Sequence, residues 1–364
     1  MHRVARAWLA KSRGVKWPPL VAFLRDRSEG VAMIKRALMV IVAGVAIYLL
    51  VPRLGGLSRD AAALRHANVW LALLGIAAEV ASIAAYVTLY RSLLRAEHAE
   101  VPWLAAGRGV MSAFLISHVL PGGSAAGTVV NVRTMEREGV PPRRTGLALV
   151  LAVLLSDIGL GLIFLAGVIY SLAKQHLAAG YVAVALIVIP ILAVLVAVVF
   201  LLAFRRELGA SAVRRIARLL HRFIHRIDPD ALARSAEEIA DEAREALTGK
   251  RFLIAMGLAL ANWLLDIFVL YLFFLALGHH QHFGALLVAY ALANMAAAIP
   301  LTPAGLGFVE ATLIGVSVAF GAPREVAVVA VLGYRLVNFW LPLPVGLVAY
   351  IHSRATPSEP ADAP

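Results

Sequence analysis

Six ionisable side chains sit inside the long apolar stretches of this sequence: Glu79, Arg108, Asp157, Asp266, Glu310 and Arg335, accompanied by the polar His118, Asn262 and Asn338. Ionisable groups within apolar helices are costly, about 2.5–3.5 kcal/mol each on insertion scales, and are usually paired or functional. Four acids against two arginines argue for a polar path through an apolar interior. Arg335 is the sharpest candidate for ligand binding, because a guanidinium fork holds a phosphate through two parallel hydrogen bonds. Asn338 lies on the same helix. Arg108 is the second anion candidate, although its place near the start of a hairpin arm suits a snorkelling, interfacial arginine equally well. Glu79, Asp157 and Asp266 are expected to pair with the arginines, with a cationic headgroup or with a proton. Glu310 is expected to act as a gate or as a helix-start carboxylate favoured by the helix dipole. For any one of these residues, an interhelical bridge that only fixes packing carries equal weight.

Two glycine-rich elements add main-chain chemistry. Pro121-Gly122-Gly123-Ser124 and Pro303-Ala304-Gly305-Leu306-Gly307 free backbone N–H groups and open a helix N-terminus, which attracts anions. Close helix packing is the commoner reason for glycine in a membrane segment. The anion reading gains weight because both elements lie at the tips of broken apolar segments. Gly122, Gly123, Ser124, Thr302, Gly305 and Gly307 therefore join Arg335, Arg108 and Asn338 as expected headgroup contacts. Enzyme signatures are missing: the sequence has no P-loop, G-x-S-x-G, H-E-x-x-H or dinucleotide fingerprint. His279, His280 and His282 cluster beside no carboxylate, and His221 and His225 stand among arginines. No metal, cofactor or catalytic residue is expected.

The elements that must position these groups follow from composition. The chain has 364 residues, no cysteine, 61% apolar and only 15% charged residues, with a mean hydropathy of +0.82. A soluble domain is nearer half apolar and a quarter charged. Disorder, a disulfide scaffold, a zinc–thiolate site and a cysteine nucleophile are excluded. Six stretches approach the roughly 20 apolar residues of a spanning helix: 33–51, 69–90, 146–170, 180–204, 252–277 and 325–351. Residues 103–132 break at Pro121-Gly122-Gly123 and residues 283–320 at Pro300-Leu301-Thr302-Pro303. Their arms are short for a full crossing, so both read as re-entrant helical hairpins, tolerated where protein or a water-filled cavity covers them.

The net charge of +12 sets topology and does not imply nucleic acid. With a cytoplasmic N-terminus and two re-entrant hairpins, 27 of the 34 Lys and Arg face the cytoplasm and five face outward, as the positive-inside rule prefers. The long basic N-terminus is a poor signal peptide. The expected fold is an all-α polytopic membrane protein of about six spanning helices plus two hairpins in an inverted repeat. Each half has a broken hairpin, then Gly-x-Pro (Gly139-Val140-Pro141 and Gly321-Ala322-Pro323), then a spanning helix with buried polar residues. Such interrupted segments at matching positions point to a midplane transport site. The expected organisation is a basic cytoplasmic segment over 1–36, a membrane domain over 37–352 and a polar, disordered tail over 353–364. Within the membrane domain, 205–251 forms a cytoplasmic insert whose part 211–227 suits a helix on an anionic leaflet.

Residues 300–351, with Pro-Leu-Thr-Pro-Ala-Gly-Leu-Gly-Phe-Val-Glu-Ala through Gly333-Tyr334-Arg335 and Phe339-Trp340-Leu341-Pro342, resemble the C-terminal signature of the lysylphosphatidylglycerol synthase transmembrane region, a flippase-like family. Leu120-Pro121-Gly122-Gly123-Ser124 through Glu138-Gly139-Val140 is similar to its N-terminal-half signature. Many members carry a glycine where this chain has Ala304. The resemblance implies a lipid-translocating module, which in two-domain members moves aminoacylated phosphatidylglycerol between leaflets and is joined to a soluble aminoacyl transferase. The sequence shows no such transferase, so lysyl-lipid synthesis is not expected. Stand-alone relatives are associated with varied lipids, polyprenyl-linked and hopanoid ones included, and the substrate does not carry over.

The leading expectation is a lipid flippase or scramblase-like transporter of a bacterial inner membrane, with both termini cytoplasmic, membrane lipids as partners and a homo-oligomer left open. The rivals are a non-transporting partner of a lipid- or glycan-pathway enzyme that docks through 205–251, and an integral-membrane enzyme acting on a lipid headgroup.

Overall fold

The computed structural model describes residues 67–94, 101–120, 123–173, 186, 188–197, 243–244, 247, 249–297 and 305–355. Every element among them is helical: α1 Val69–Leu94, α2 Trp103–Val119, α3 Gly123–Arg137, α4 Pro142–Ala173, α5 Val188–Ala197, α6 Lys250–Ala276, α7 Phe283–Ala297, α8 Phe308–Ala319, α9 Arg324–Arg335 and α10 Pro342–Ala355. A five-residue π turn, Leu336–Trp340, joins α9 to α10. The stretch expected at 33–51, most of the one at 180–204 and nearly all of 205–251 lie outside the described residues, as do Gly122 and Thr302.

Local chemistry sets the helix ends. Asn68 caps α1, its Oδ1 accepting from the N–H groups of Trp70 at 3.0 Å and Leu71 at 3.4 Å. Pro142 opens α4 at the position where a missing N–H costs nothing. The two Gly-x-Pro elements adopt the same stop. Gly139 (φ 81°) and Gly321 (φ 93°) take the left-handed conformation, and Val140 N–H bonds Met135 O as Ala322 N–H bonds Ser317 O, at 2.9 and 3.0 Å.

Among the described residues, four helices are long and apolar enough to cross a membrane: Val69–Leu94, Pro142–Ala173, Lys250–Ala276 and the α9–α10 rod, Arg324–Arg354. These correspond to the stretches expected at 69–90, 146–170, 252–277 and 325–351. At 1.5 Å per residue, α1 is about 39 Å long against a hydrocarbon core of about 30 Å. The chain is an integral, multi-pass membrane protein. The last helix runs to Ala355.

α1 runs antiparallel to α6. Asn68 N–H at its start reaches Ala276 O at the end of α6, at 2.8 Å, and Ser82 at its middle faces Asn262. Two apolar cores lie along this pair. One gathers Val87, Leu94, Leu151, Leu155 and Ala259; the other gathers Phe164, Leu270, Phe274, Tyr290, Leu313 and Val331. α4 spans both.

Four of the other described helices form two antiparallel pairs. In α2/α3, a Cβ at Gly109 would lie 3.1 Å from Met135 Cε, and one at Gly127 would lie 2.7 Å from Ala113 O. In α7/α8, Gln281 Nε2 donates to Ser317 O at 3.3 Å, while Gly305 at the other end packs under Ala297. With 17, 15, 15 and 12 residues, each arm is at most about 26 Å long. The open end of α2/α3 joins the first core, through Ala105 and Met135; the open end of α7/α8 joins the second, through Leu286 and Val316. The two tips converge on a third cluster around the π turn, where Leu115, Ile116, Ala126 and Leu306 meet Phe339 and Trp340.

Glycine at 127 is what lets α2 and α3 touch. Gly127→Ala forces a methyl into backbone oxygen and is expected to cost about 1–3 kcal/mol, read as a lowered thermal midpoint in detergent. An unchanged midpoint would show that the pair has slack.

Candidate functional site

The site begins with a break in the helix ladder. Pro342 and Pro344 carry no N–H, and a proline ring clashes with the carbonyl four residues earlier, here Asn338 and Trp340. The rod responds by widening: Leu341 N–H bonds Leu336 O at 2.9 Å, five residues back. π insertions of this kind recur at functional sites. Here the widened turn presents Arg335, Asn338 and Phe339 to the bundle interior.

Arg335 is buried at 5% exposure. Its Nε donates to Glu310 Oε1 at 2.7 Å, and its guanidinium lies 4.5 Å from the centre of the Phe339 ring. Glu310 stands in the first turn of α8 and accepts Gly307 N–H through Oε2 at 2.7 Å. Its charge thereby meets both the arginine and the positive end of the helix dipole. Gly307 (φ 86°) and Gly305 (φ 68°) make the approach to α8, and Gly305 also leaves no room for a side chain against Ala297. Arg335 Nη2 is buried without a hydrogen-bond partner.

A second polar group lies beside it, midway along α1, α6 and the last rod. Asp266 accepts from Ser82 through Oδ1 and from Tyr290 OH through Oδ2 at 2.8 Å. Asn338 Nδ2 donates to Glu79 Oε1 at 3.1 Å and to Asp266 Oδ2 at 3.4 Å. Asn262 Nδ2 donates to Ser82 Oγ at 2.7 Å, and Tyr334 OH reaches Tyr290 OH at 3.4 Å. Glu79 Oε2 is buried and unpartnered. Among the described residues, the buried charges are three acids, Glu79, Asp266 and Glu310, and one cation, Arg335.

Other expected site residues lie elsewhere. Arg108 pairs with Glu138 at 2.6 Å at the open end of α2/α3, with 31% of its side chain exposed. This is the interfacial placement; Arg108 and Arg335 do not meet. Asp157 is exposed on α4, within electrostatic reach of Tyr86 on α1, and joins neither buried group. Gly123 sits at the hairpin tip with its N–H on Leu120 O at 2.9 Å, and Ser124 is exposed. His118 bonds Phe114 O at 2.7 Å and meets the edge of Phe339, so the α2/α3 tip touches the same aromatic ring as Arg335. Ser82, Tyr290 and Tyr334 escape sequence reasoning. A lone hydroxyl in an apolar helix carries no signal until its partners are placed. No group of residues that could hold a metal ion occurs among the described residues.

The hairpin tips, the glycine turn and the arginine lie within a segment that known proteins share. Residues 37–346 match the profile of the lysylphosphatidylglycerol synthase TM region. The chain belongs to this family. The chain is also similar to a UPF0104 membrane protein of Pyrococcus horikoshii, 23% identical over 332 residues that cover 87% of this chain and 97% of the relative. A UPF0104 membrane protein of Methanothermobacter thermautotrophicus is 25% identical over 339 residues, covering 89% and 97% of the two chains. Another from the same organism is 27% identical over 242 residues, covering 62% and 67%. The match spans three of the four described crossing helices, both antiparallel pairs and the last rod as far as residue 346.

Proposed function

We propose that this family member moves the headgroup of a phospholipid or polyprenyl-linked lipid across its membrane, as a flippase or scramblase and not as an enzyme. The observation that carries this reading is Arg335. A guanidinium is held in the apolar interior with Nε committed to Glu310 and Nη2 unpartnered. A buried donor without an acceptor costs about 1–3 kcal/mol, more when charged, and a phosphate oxygen is the acceptor its geometry suits.

The arrangement around Arg335 supports the same reading. In this proposal α2/α3 and α7/α8 are re-entrant hairpins that enter from opposite faces, as an inverted repeat, and meet at the π turn. Parting the tips would open a polar route at mid-depth, where Arg335 and Asn338 receive the headgroup while the acyl chains stay in lipid. The described helices keep outward apolar faces for that purpose, with Trp70, Leu104, Ile169 and Val348 exposed. The protein would reside in the cytoplasmic membrane with both termini inside, by its charge asymmetry. A pathway enzyme docking on 205–251 would be compatible with transport.

The test is leaflet exchange in proteoliposomes, with anionic, zwitterionic, aminoacylated and polyprenyl-phosphate lipids and an impermeant headgroup reagent. One lipid class is expected to exchange at least tenfold faster than in empty vesicles. Arg335→Lys keeps a charge opposite Glu310 but loses the planar fork, and is expected to slow that exchange about tenfold or more. Folded protein that accelerates no lipid would remove the transport reading.

A further inference from the structure

We propose that Glu79 and Asp266 together hold one exchangeable proton in the bundle interior, and that its uptake and release drive lipid movement. The coupling rests on the transport reading; the proton site stands without it.

The geometry of the pair carries the argument. One nitrogen, Asn338 Nδ2, donates to a carboxyl oxygen of each acid, so the two carboxyls face each other across a single amide. Both are buried, at 3% and 6% exposure. Among the described residues, the elements packed around them supply tyrosine hydroxyls but no second cation. Tyr290 stands on α7, and Tyr334 and Asn338 on the last rod, while Asp157 lies on the exposed face of α4. Arg335, the only buried cation among the described residues, turns its Nε to Glu310 of α8. Two facing carboxylates in such a place do not both ionise.

Hydrogen bonding indicates which acid holds the proton. An ionised carboxylate only accepts, and Asp266 accepts from Ser82, Tyr290 and Asn338. Glu79 accepts from Asn338, and its carboxyl lies within hydrogen-bond reach of Asp266, a contact that requires one of the two acids to carry a proton. The proton therefore sits on Glu79 in this state, donated toward Asp266 as the anion. Enclosure to this degree suits a proton and not an ammonium headgroup.

The same five-residue turn links this site to the headgroup site. Asn338, which bridges the acids, lies three residues after Arg335. A movement of the turn that frees Arg335 for phosphate also withdraws the donor that both carboxyls share. Proton release and headgroup capture then belong to one conformational step.

Two readouts on the full chain in proteoliposomes separate the claims. The first is infrared difference spectroscopy of the protonated-carboxyl C=O stretch during pH steps. A band is expected in the wild type and is lost in Glu79→Gln, which keeps the side-chain shape. In Tyr290→Phe, which removes a donor from the anion, the band persists to more alkaline pH. No band, or one indifferent to Glu79→Gln, overturns the site, and a band that responds to replacing sodium by choline reassigns it to an alkali cation. The second readout is lipid exchange with and without a gradient of about one pH unit, a tenfold ratio of proton activity. The gradient is expected to change the wild-type rate severalfold and the Glu79→Gln rate by less than about 1.5-fold. Rapid exchange indifferent to the gradient sinks the coupling and leaves transport standing. A Glu79-dependent band without any lipid movement upholds the proton site and sinks the transport reading.

Discussion

Glu310→Leu is expected to lower stability by about 3–5 kcal/mol, because it leaves the Arg335 charge buried and uncompensated. Arg335 is 5% exposed and its only ionic partner among the described residues is Glu310. The same change also removes the acceptor from Gly307 N–H at the start of α8, loosening the second hairpin tip. The double variant Glu310→Leu/Arg335→Met removes both charges and fills their space with apolar volume. It is expected to recover most of the loss, since replacing a buried pair by packed apolar residues is often neutral. Thermal unfolding in detergent reads the stability, and the leaflet assay reads function. The double variant is expected to be folded and inactive. If it transported lipid at the wild-type rate, the headgroup role of Arg335 would fall while the packing role survived.

The second large effect centres on Asp266, the acceptor for three side chains on three helices. Asp266→Ala leaves Tyr290 OH without its acceptor and takes one of two partners from Ser82 and from Asn338, which keep Asn262 O and Glu79. An orphaned buried group costs about 1–3 kcal/mol and the cavity adds to it, a large share of the stability of a typical domain, so a clearly lowered yield of folded protein is expected in detergent extracts. Asp266→Asn is expected to be far milder, about 1–2 kcal/mol. Its carbonyl replaces one acceptor, and the hydroxyls of Ser82 and Tyr290 can rotate to accept from its amide. Size-exclusion profiles and midpoints of the two variants distinguish a hydrogen-bonding role from a charge role. Equal losses in both would mean that the negative charge itself holds the three helices.

The spanning helices were legible because hydrophobicity alone defines them. The long apolar runs at 69–90, 146–170 and 252–277 became α1, α4 and α6 with small shifts at the ends, where Asn68 and Pro142 fix boundaries that hydropathy cannot sense. The rod at 325–351 was found, but not its interruption. Pro342 and Pro344 were visible, yet whether prolines kink, break or widen a helix depends on what packs beside it. In the site, buried charge singled out Arg335, Glu79, Asp266 and Glu310, and the structure brings all four to the bundle interior. Their pairing was not legible. The net count of acids and bases does not say that Glu310 takes Arg335, or that Glu79 and Asp266 are left with an asparagine between them. Arg108 and Asp157 looked equivalent to the others in sequence. Only the packing of α3 and the exposure of Asp157 on α4 separate them.

The α9–α10 rod has a mechanical consequence. Its first part, through Val331, Tyr334 and Val337, is built into the core shared with α6 and α7. Its last part, through Leu343 and Tyr350, is built into the cluster of α2 and α3, with Gly346 seated directly on the backbone of Met111 and Arg137 donating to Ser353 O. The rod is thus shared between two bodies. A rotation of one against the other would be taken up in Leu336–Trp340, where two prolines have already removed main-chain bonds that would resist it. The turn is placed as a joint, and Asn338 within it and Arg335 at its edge would change their aim with the angle between the two bodies.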